Sequence, residues 1–185
     1  MLEEATEKWI LYTDGAANVK GIGLGIVLKS PQGDIIPQAV NCHFIATNND
    51  VEYEALISGM QLAKDMNIRN LKVHVDSLLL ANHFNGSYAA KGEKLMQYLD
   101  IVKKLAENFD LFDIEQVPRE ENVEADALAN LGSTTKISFE TSIPIVHVLY
   151  PAIDKDSHKT LAIQDSETGE SENNQTSWMT PERNI

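Results

Sequence analysis

The order in which two kinds of hydrophobic pattern follow one another most constrains the fold of this chain. Three apolar, β-branched segments come first and predict strands over Trp9–Thr13, Gly21–Lys29 and Ile35–Phe44. The period then changes over Asn49–Met66, where apolar residues recur every three or four positions and predict a helix. Because the short turn Ser30–Asp34 joins the second and third strands, we expect the three strands to be antiparallel neighbours.

The remainder of the chain continues as an alternation of strands and helices. The patterns predict strands over Leu71–Val75 and Phe112–Val117 and helices over Leu78–Phe84, Glu93–Phe109 and Asn122–Asn130. The predicted order is therefore βββαβααβα. A strand, a crossover helix and a further strand make a right-handed parallel connection, so we predict an α/β fold with a five-stranded mixed sheet flanked by helices.

Composition limits the classes of protein to consider. The 15 Lys and Arg against 28 Asp and Glu give a net charge of −13, which argues against a broad cationic surface for nucleic acid. No apolar run has the 18 or so residues that a membrane span needs, and the acidic start is unlike a signal peptide. The single Cys42 excludes an intramolecular disulfide and a multi-cysteine zinc site. We expect an intracellular monomer, in the cytoplasm or nucleus, neither secreted nor membrane-bound.

The density of apolar residues predicts the domain boundaries. From Thr160 to Ser177 the chain is polar and cannot offset its ordering entropy, so we predict disorder there. Ile143–Pro151 is rich in Ile, Val, Leu and Tyr and is expected to dock on the domain. The predicted parts are an N-terminal extension at 1–7, a domain at 8–135, a partly ordered extension at 136–159 and a mostly disordered tail at 160–185.

Four acidic residues are candidates for chemistry because of where they stand. Asp14 and Asp76 end the first and fourth predicted strands, and Asp126 lies about one turn inside the last predicted helix. Glu52 shares a helical face with apolar residues and so points toward the core, whereas Glu54 belongs to a stripe predicted to face solvent. A single sheet would bring Asp14, Glu52, Asp76 and Asp126 to a common edge.

Each of these acids also has an ordinary structural explanation. Asp14 begins an Asp-Gly pair typical of turns, and Asp76 or Ser77 can cap a helix. Glu52 and Asp126 are first-turn acids of the kind that the helix dipole favours. Together, however, four clustered carboxylates repel one another unless cations are present. An all-oxygen set suits Mg²⁺ or Mn²⁺, and two such ions about 3.5–4 Å apart clamp a phosphoryl displacement.

Four short segments, in this order and spacing, resemble the type 1 ribonuclease H family. They are Tyr12–Ala16, Thr47–Tyr53, Val75–Ser77 and Glu124–Asn130. The resemblance covers Lys8 to about Ser133 and is strongest to the ribonuclease H domains of plant gypsy-like LTR-retrotransposon polyproteins and to the short archaeal-type enzymes. Ile143–His147 and Ser177–Pro181 are similar to the stretch that follows ribonuclease H in those polyproteins, before the integrase.

The resemblance implies an endonuclease that hydrolyses the RNA strand of RNA·DNA hybrids with two Mg²⁺ or Mn²⁺ ions. Asp14, Glu52, Asp76 and Asp126 match the family's four metal-binding acids, with Asp14 at the position that bridges both ions. Glu52 matches an acid that also meets the 2′-hydroxyl beside the cut. The implied partners are the hybrid and the reverse transcriptase and integrase segments of a polyprotein.

The resemblance also implies nucleic-acid contacts. Asn18 lies in the loop that lines the RNA strand, Asn48 and Asn49 match a minor-groove pair, and Thr47 matches a contact to a DNA phosphate, although a polar helix start would also explain the last three. A mobile His before the last acid is missing, so Arg119 is expected to meet the product phosphate. The basic handle is missing too, which leaves four lysines on or near one helix: Lys91, Lys94, Lys103 and Lys104.

Two other functions stay open at this point. The first is a catalytically silent, domesticated ribonuclease H-like domain that binds nucleic acid or a partner without cutting. Its mark would be a lost catalytic acid, and none is lost. The second is an acidic interaction domain that uses the tail, which depends on net charge alone.

Overall fold

The computed structural model describes residues 7–134 and 145–154, and the described residues up to Ile153 form one compact unit. Six strands form one sheet in the order β5-β4-β1-β2-β3-β6. They are β1 (Trp9–Asn18), β2 (Gly21–Lys29), β3 (Ile35–Cys42), β4 (Asn70–Val75), β5 (Leu111–Gln116) and β6 (Ile145–Val148). The helices are α1 (Asn48–Asp65), α2 (Leu78–Asn85), α3 (Glu93–Ala106) and α4 (Val123–Ser133), with 3-10 turns at Arg119–Asn122 and Ala152–Asp154.

The pairing of the strands agrees with the predicted α/β class and element order. β1, β2 and β3 are antiparallel neighbours, while β4 lies parallel to β1 and β5 parallel to β4. The predicted count of five strands is wrong, because β6 adds a sixth at the edge beside β3 and parallel to it. The apolar segment Ile143–Pro151, expected to dock, supplies this strand. The predicted disorder at Thr160–Ser177 lies outside the described residues.

The first strand is longer than predicted, and this changes the environment of Asp14. β1 continues to Asn18, and Asp14 pairs with Gly25 of β2 within the ladder. The Asp14-Gly15 pair is therefore not a turn; the chain reverses at Val19 and Lys20 instead. The reason is that β2 continues to pair with β1 down to the Asn18–Gly21 partners.

The two faces of the sheet carry different helices. Leu24 and Ile26 of β2 belong to the large core beneath α1, and Val27 belongs to a smaller cluster beneath α4. This follows from the alternation of side chains along a strand. On the α4 face, a Cβ at Gly25 would collide with the Ala125 carbonyl oxygen, so glycine lets α4 lie directly on β2. No helix among the described residues has the length and apolar character needed to cross a bilayer.

Glu54 does not face solvent, contrary to the prediction from the helical stripe. It is 3% exposed and accepts hydrogen bonds from the Tyr98 hydroxyl at 2.6 Å and from the Ala152 backbone N–H at 2.8 Å. The prediction failed because α3 and the residues after β6 cover this face of α1. Asp65, from the same stripe, is exposed as predicted.

We expect Glu54→Ala to lower the free energy of unfolding by about 3 kcal/mol, because it removes the acceptor of the buried Tyr98 hydroxyl and of the half-buried Ala152 N–H. Asp65→Ala is the matched control on the same helix and should change the free energy by less than about 0.5 kcal/mol. Urea unfolding of both variants measures the difference. Equal effects of the two substitutions would show that the Glu54 hydrogen bonds contribute nothing to stability.

Candidate active site

Three of the four predicted acids meet at the centre of the sheet. Asp14, Glu52 and Asp76 each offer a carboxylate oxygen, and these oxygens lie within 4.8 Å of one another. The strand register explains two of them, since Tyr12 of β1 pairs with His74 of β4 and the acids lie two residues further along each parallel strand. The predicted meeting of Asp14 and Asp76 thus follows from β1 and β4 being neighbours.

The third acid reaches this point because α1 begins very close to β1. A Cβ at Gly15 would collide with Val51 Cγ1 and would lie 2.9 Å from the Val51 carbonyl oxygen. Only glycine allows the first turn of α1 to lie against β1 at this position. That close approach places Glu52, which directly follows Val51, beside Asp14.

Asp126 approaches the cluster from the other face of the sheet. It lies in the first turn of α4, where its carboxyl interacts with that of Asp14 and raises the pKa of Asp14. Since α4 rests on Gly25, the cross-strand partner of Asp14, the position of the helix fixes the position of this acid. The other three predicted acids therefore lie around Asp14.

Crowding and burial make the central carboxyls hard to ionise. Burial, the Asp76 charge and the interaction with the Asp126 carboxylate raise the pKa of Asp14 to about 7. Burial raises the pKa of Glu52 to about 9, with the Asp14 and Asp76 charges adding to the shift and Arg119 opposing it. In the absence of a cation, these two acids hold protons at pH values where exposed carboxyls have lost them.

The donor set fits a hard divalent cation. All its ligand atoms are carboxylate oxygens, which Mg²⁺ and Mn²⁺ prefer. The Oδ2 atom of Asp76 is buried and has no hydrogen-bond partner, although a buried polar atom normally has one. A cation bound among these acids would satisfy this oxygen and offset the repulsion.

Sequence reasoning missed one residue that positions the site. Asn122 begins the last predicted helix, and in the structure its side chain makes no capping hydrogen bond. It is 1% exposed and donates from Nδ2 to the Thr13 carbonyl oxygen at 2.9 Å. The bond joins the start of α4 to the residue before Asp14 and so sets the distance between Asp126 and Asp14. A polar residue at a helix start carries no sequence signal of this contact.

The residues predicted to contact nucleic acid differ in their surroundings. Thr47 caps α1, accepting from the Asp50 N–H while the Asp50 carboxylate accepts from the Thr47 N–H, so a helix-start role is observed for it. Asn48 and Asn49 are exposed on the first turn of α1. Asn18 is exposed at the end of β1, and its Oδ1 accepts from the Lys20 N–H at 2.9 Å.

The basic residues around the site are few. Arg119 is exposed in the 3-10 turn before α4, and its charge acts on Glu52. Lys94 is not free for a ligand, because its Nζ lies 2.7 Å from a carboxylate oxygen of the buried Asp50. Lys104 pairs with Asp100 one turn away. Arg119 thus acts on the acid cluster directly.

Comparison with known proteins agrees with this geometry. A profile of the Reverse transcriptase-like family matches residues 13–132. Ribonuclease HI of Halobacterium salinarum is 34% identical over 121 residues, which are 64% of this chain and 61% of that protein. The chain therefore spans less than two thirds of this relative's length.

Solved structures show the same relationship. The crystal structure of RNase H1 from H. salinarum superposes with a TM-score of 0.64 at 31% identity, covering 68% of this chain and 96% of that one. The structure of LC11-RNase H1 in complex with an RNA/DNA hybrid superposes with a TM-score of 0.59 at 27% identity, covering 68% of this chain and 96% of that one. The chain belongs to the Reverse transcriptase-like family. Its fold is that of ribonuclease H, as the sequence predicted.

The raised pKa values predict how pH changes the stability of the cation-free protein. As pH rises above about 4, the unfolded chain loses protons that Asp14 and Glu52 keep when folded, so the free energy of unfolding falls. The fall continues until pH passes their folded pKa values of about 7 and about 9. Asp14→Asn should be more stable than the wild type at pH 8 with a chelator present, and the difference should shrink toward pH 4. Urea unfolding across this range measures it, and two parallel curves would contradict the prediction.

Asn122→Ala should destabilise the fold by about 1–3 kcal/mol, because the Thr13 carbonyl loses a buried donor. It should also raise the Mg²⁺ concentration needed for half-maximal stabilisation, because Asp126 is no longer held beside Asp14. Asn85→Ala, at the exposed end of α2, is the control and should change neither value. Thermal melting in a Mg²⁺ series measures both. A variant that loses stability but keeps the wild-type Mg²⁺ midpoint would show that Asn122 does not position the acids.

Proposed function

We propose that this chain is a ribonuclease H that hydrolyses the RNA strand of RNA·DNA hybrids with two divalent cations. The observation that carries the proposal is the convergence of Asp14, Glu52 and Asp76, with Asp126 interacting with Asp14, at the centre of a ribonuclease H fold. The ribonuclease H relatives support the same reading, and one of them is described in complex with an RNA/DNA hybrid.

Asp14, Glu52, Asp76 and Asp126 would hold the cations, which we propose to be Mg²⁺ or Mn²⁺. When bound, such cations activate a water for attack on the phosphorus and neutralise charge on the leaving oxygen. Asp14 is central because its carboxyl interacts with each of the other three acids. Since Glu52 is protonated and Asp14 partly protonated near neutral pH without a cation, binding releases protons and strengthens as pH rises.

The protein's own groups would position the hybrid. Glu52, in the N-terminal part of α1, would meet the 2′-hydroxyl next to the scissile phosphate, which would restrict cleavage to RNA. Asn48 and Asn49 are exposed at the start of the same helix and would offer amide donors and acceptors to the minor groove. Arg119, whose charge reaches Glu52, would bind the phosphate released at the cut.

The acidic surface sets the expected affinity. The net charge is −13 and Lys94 is held by Asp50, so few basic side chains are free to bind phosphates. Binding of the hybrid should therefore be weak and strongly salt-dependent. The Thr47 hydroxyl accepts from the Asp50 N–H, so its own proton would be the group donated to a DNA phosphate. Asn18, exposed at the end of β1, would line the RNA strand.

We further propose that the domain derives from the polyprotein of a gypsy-like retrotransposon, where reverse transcriptase and integrase segments would be its neighbours. The support is the resemblance of Ile143–His147 and Ser177–Pro181 to the stretch that follows ribonuclease H in such polyproteins. A catalytically silent domesticated domain is the alternative. The complete set of four acids favours the active enzyme.

Cleavage of a labelled RNA·DNA hybrid with Mg²⁺ or Mn²⁺ tests the activity. We expect the wild type to cut only the RNA strand, a chelator to stop the reaction, and Asp14→Asn to reduce it to background. Glu124→Gln, which changes an exposed acid on the same helix as Asp126, should keep wild-type activity. Failure of the folded wild type to cut with either cation would favour the silent domain, and an active Asp14→Asn variant would overturn the assignment of the site.

Cation binding can be measured separately from cleavage. A ligand that binds only the folded state at about 100 times its Kd adds about 2.7 kcal/mol of stability. Mg²⁺ or Mn²⁺ in the millimolar range should therefore raise the melting temperature of the wild type, and the Asp14→Asn variant should lose most of the rise. A wild-type melting temperature that does not change with either ion would contradict the proposed cation site.

A further inference from the structure

Two exposed histidines from different parts of the chain meet at the edge of the sheet. His43 directly follows β3, and His147 lies in β6. The His43 Nε2 and His147 Nδ1 atoms are 2.8 Å apart, and the ring planes are tilted by 35°. The backbone fixes this approach, because the His43 N–H donates to the Val148 carbonyl at 2.9 Å and so extends the β3–β6 pairing.

We propose that His43 and His147 form a binding site for a borderline transition-metal ion, Cu²⁺ or Ni²⁺, that joins β6 to β3. Imidazole nitrogens are the ligands that these ions prefer in proteins, whereas the oxygen-only acid cluster suits harder cations. The two sites are distinct in position and in chemistry. The inference does not depend on the proposed nuclease activity.

The distance between the nitrogens favours these ions over Zn²⁺. Metal–imidazole bonds are about 2.05 Å long, so two nitrogens 2.8 Å apart subtend an angle of about 86° at a shared ion. Tetragonal and octahedral ions take adjacent ligands at about 90°, and tetrahedral Zn²⁺ takes them at about 109°. The rings would have to separate to suit Zn²⁺. Because both rings are exposed, water can fill the other positions.

Binding requires a rearrangement of one proton and a rotation of the exposed rings that turns both lone pairs toward the ion. In the absence of metal, the short nitrogen–nitrogen contact is a hydrogen bond in which one ring donates and the other accepts. A shared ion needs the lone pairs of both facing nitrogens. The donating ring therefore carries its proton on its other nitrogen when the ion is bound, and neutral rings lose no proton overall.

The site would link metal binding to the docking of the C-terminal extension. His147 belongs to the edge strand, so both ligands are present together only while β6 pairs with β3. An ion that binds this arrangement alone stabilises it. The segment after β6 also reaches α1, where the Ala152 N–H donates to Glu54, so the ion would strengthen an attachment that is already built.

Calorimetric titration of the full chain with Ni²⁺, with saturating Mg²⁺ present to occupy the acid cluster, tests the proposal. We expect the wild type to bind one Ni²⁺ that is lost in His43→Asn and in His147→Asn. Val146→Ala changes the neighbouring exposed residue of β6 without removing an imidazole and should bind Ni²⁺ like the wild type. Ni²⁺ binding that is the same in the wild type and both histidine variants would overturn the site.

The same variants test the choice of metal and the effect on stability. Cu²⁺ and Ni²⁺ should bind more tightly than Zn²⁺, and Ni²⁺ should raise the melting temperature of the wild type more than that of either histidine variant. Tighter binding of Zn²⁺ would contradict the geometric argument. An equal rise in all three proteins would show that the ion does not join β6 to β3.

Discussion

The structure depends on holding Asp14 buried in the middle of a strand while other carboxyls crowd around it. Asp14 is 4% exposed, and its pKa is raised to about 7 by burial and by its acidic neighbours. Burying such a group lowers the stability of the fold, so the packing around it must offset that loss. Two glycines make that packing possible: Gly15 admits the first turn of α1 and Gly25 admits α4. Both helices consequently carry an acid to the same point.

The residues that position the acids also connect the site to the rest of the molecule. Asn122 ties the start of α4 to β1, and the Thr47 and Asp50 capping interactions fix the start of α1. Glu54, two residues after Glu52, binds Tyr98 of α3 and the backbone at Ala152. The C-terminal extension is therefore attached to the helix that carries a candidate catalytic acid, and the His43–His147 contact attaches it again at the sheet edge.

Sequence periodicity predicted most of the fold because alternation and helical spacing report which face of an element is apolar. The four acids could be predicted as candidates because the same patterns show that they lie near the ends of strands and helices. Periodicity cannot report which element covers a polar face, and Glu54 was misjudged for that reason. It also cannot show that a strand continues past an Asp-Gly pair, since the pairing with β2 that extends β1 is a tertiary contact. Asn122 and the sixth strand depend on tertiary contacts in the same way.

The central claim is that the acid cluster around Asp14 binds divalent cations. The most direct measurement is anomalous diffraction from crystals of this chain grown with Mn²⁺ and an RNA·DNA hybrid, using Asp126→Asn to slow cleavage. The account predicts Mn²⁺ peaks within coordination distance of the carboxylates of Asp14, Glu52 and Asp76. The absence of any peak at Asp14, in crystals that contain the hybrid at this face and millimolar Mn²⁺, would contradict it.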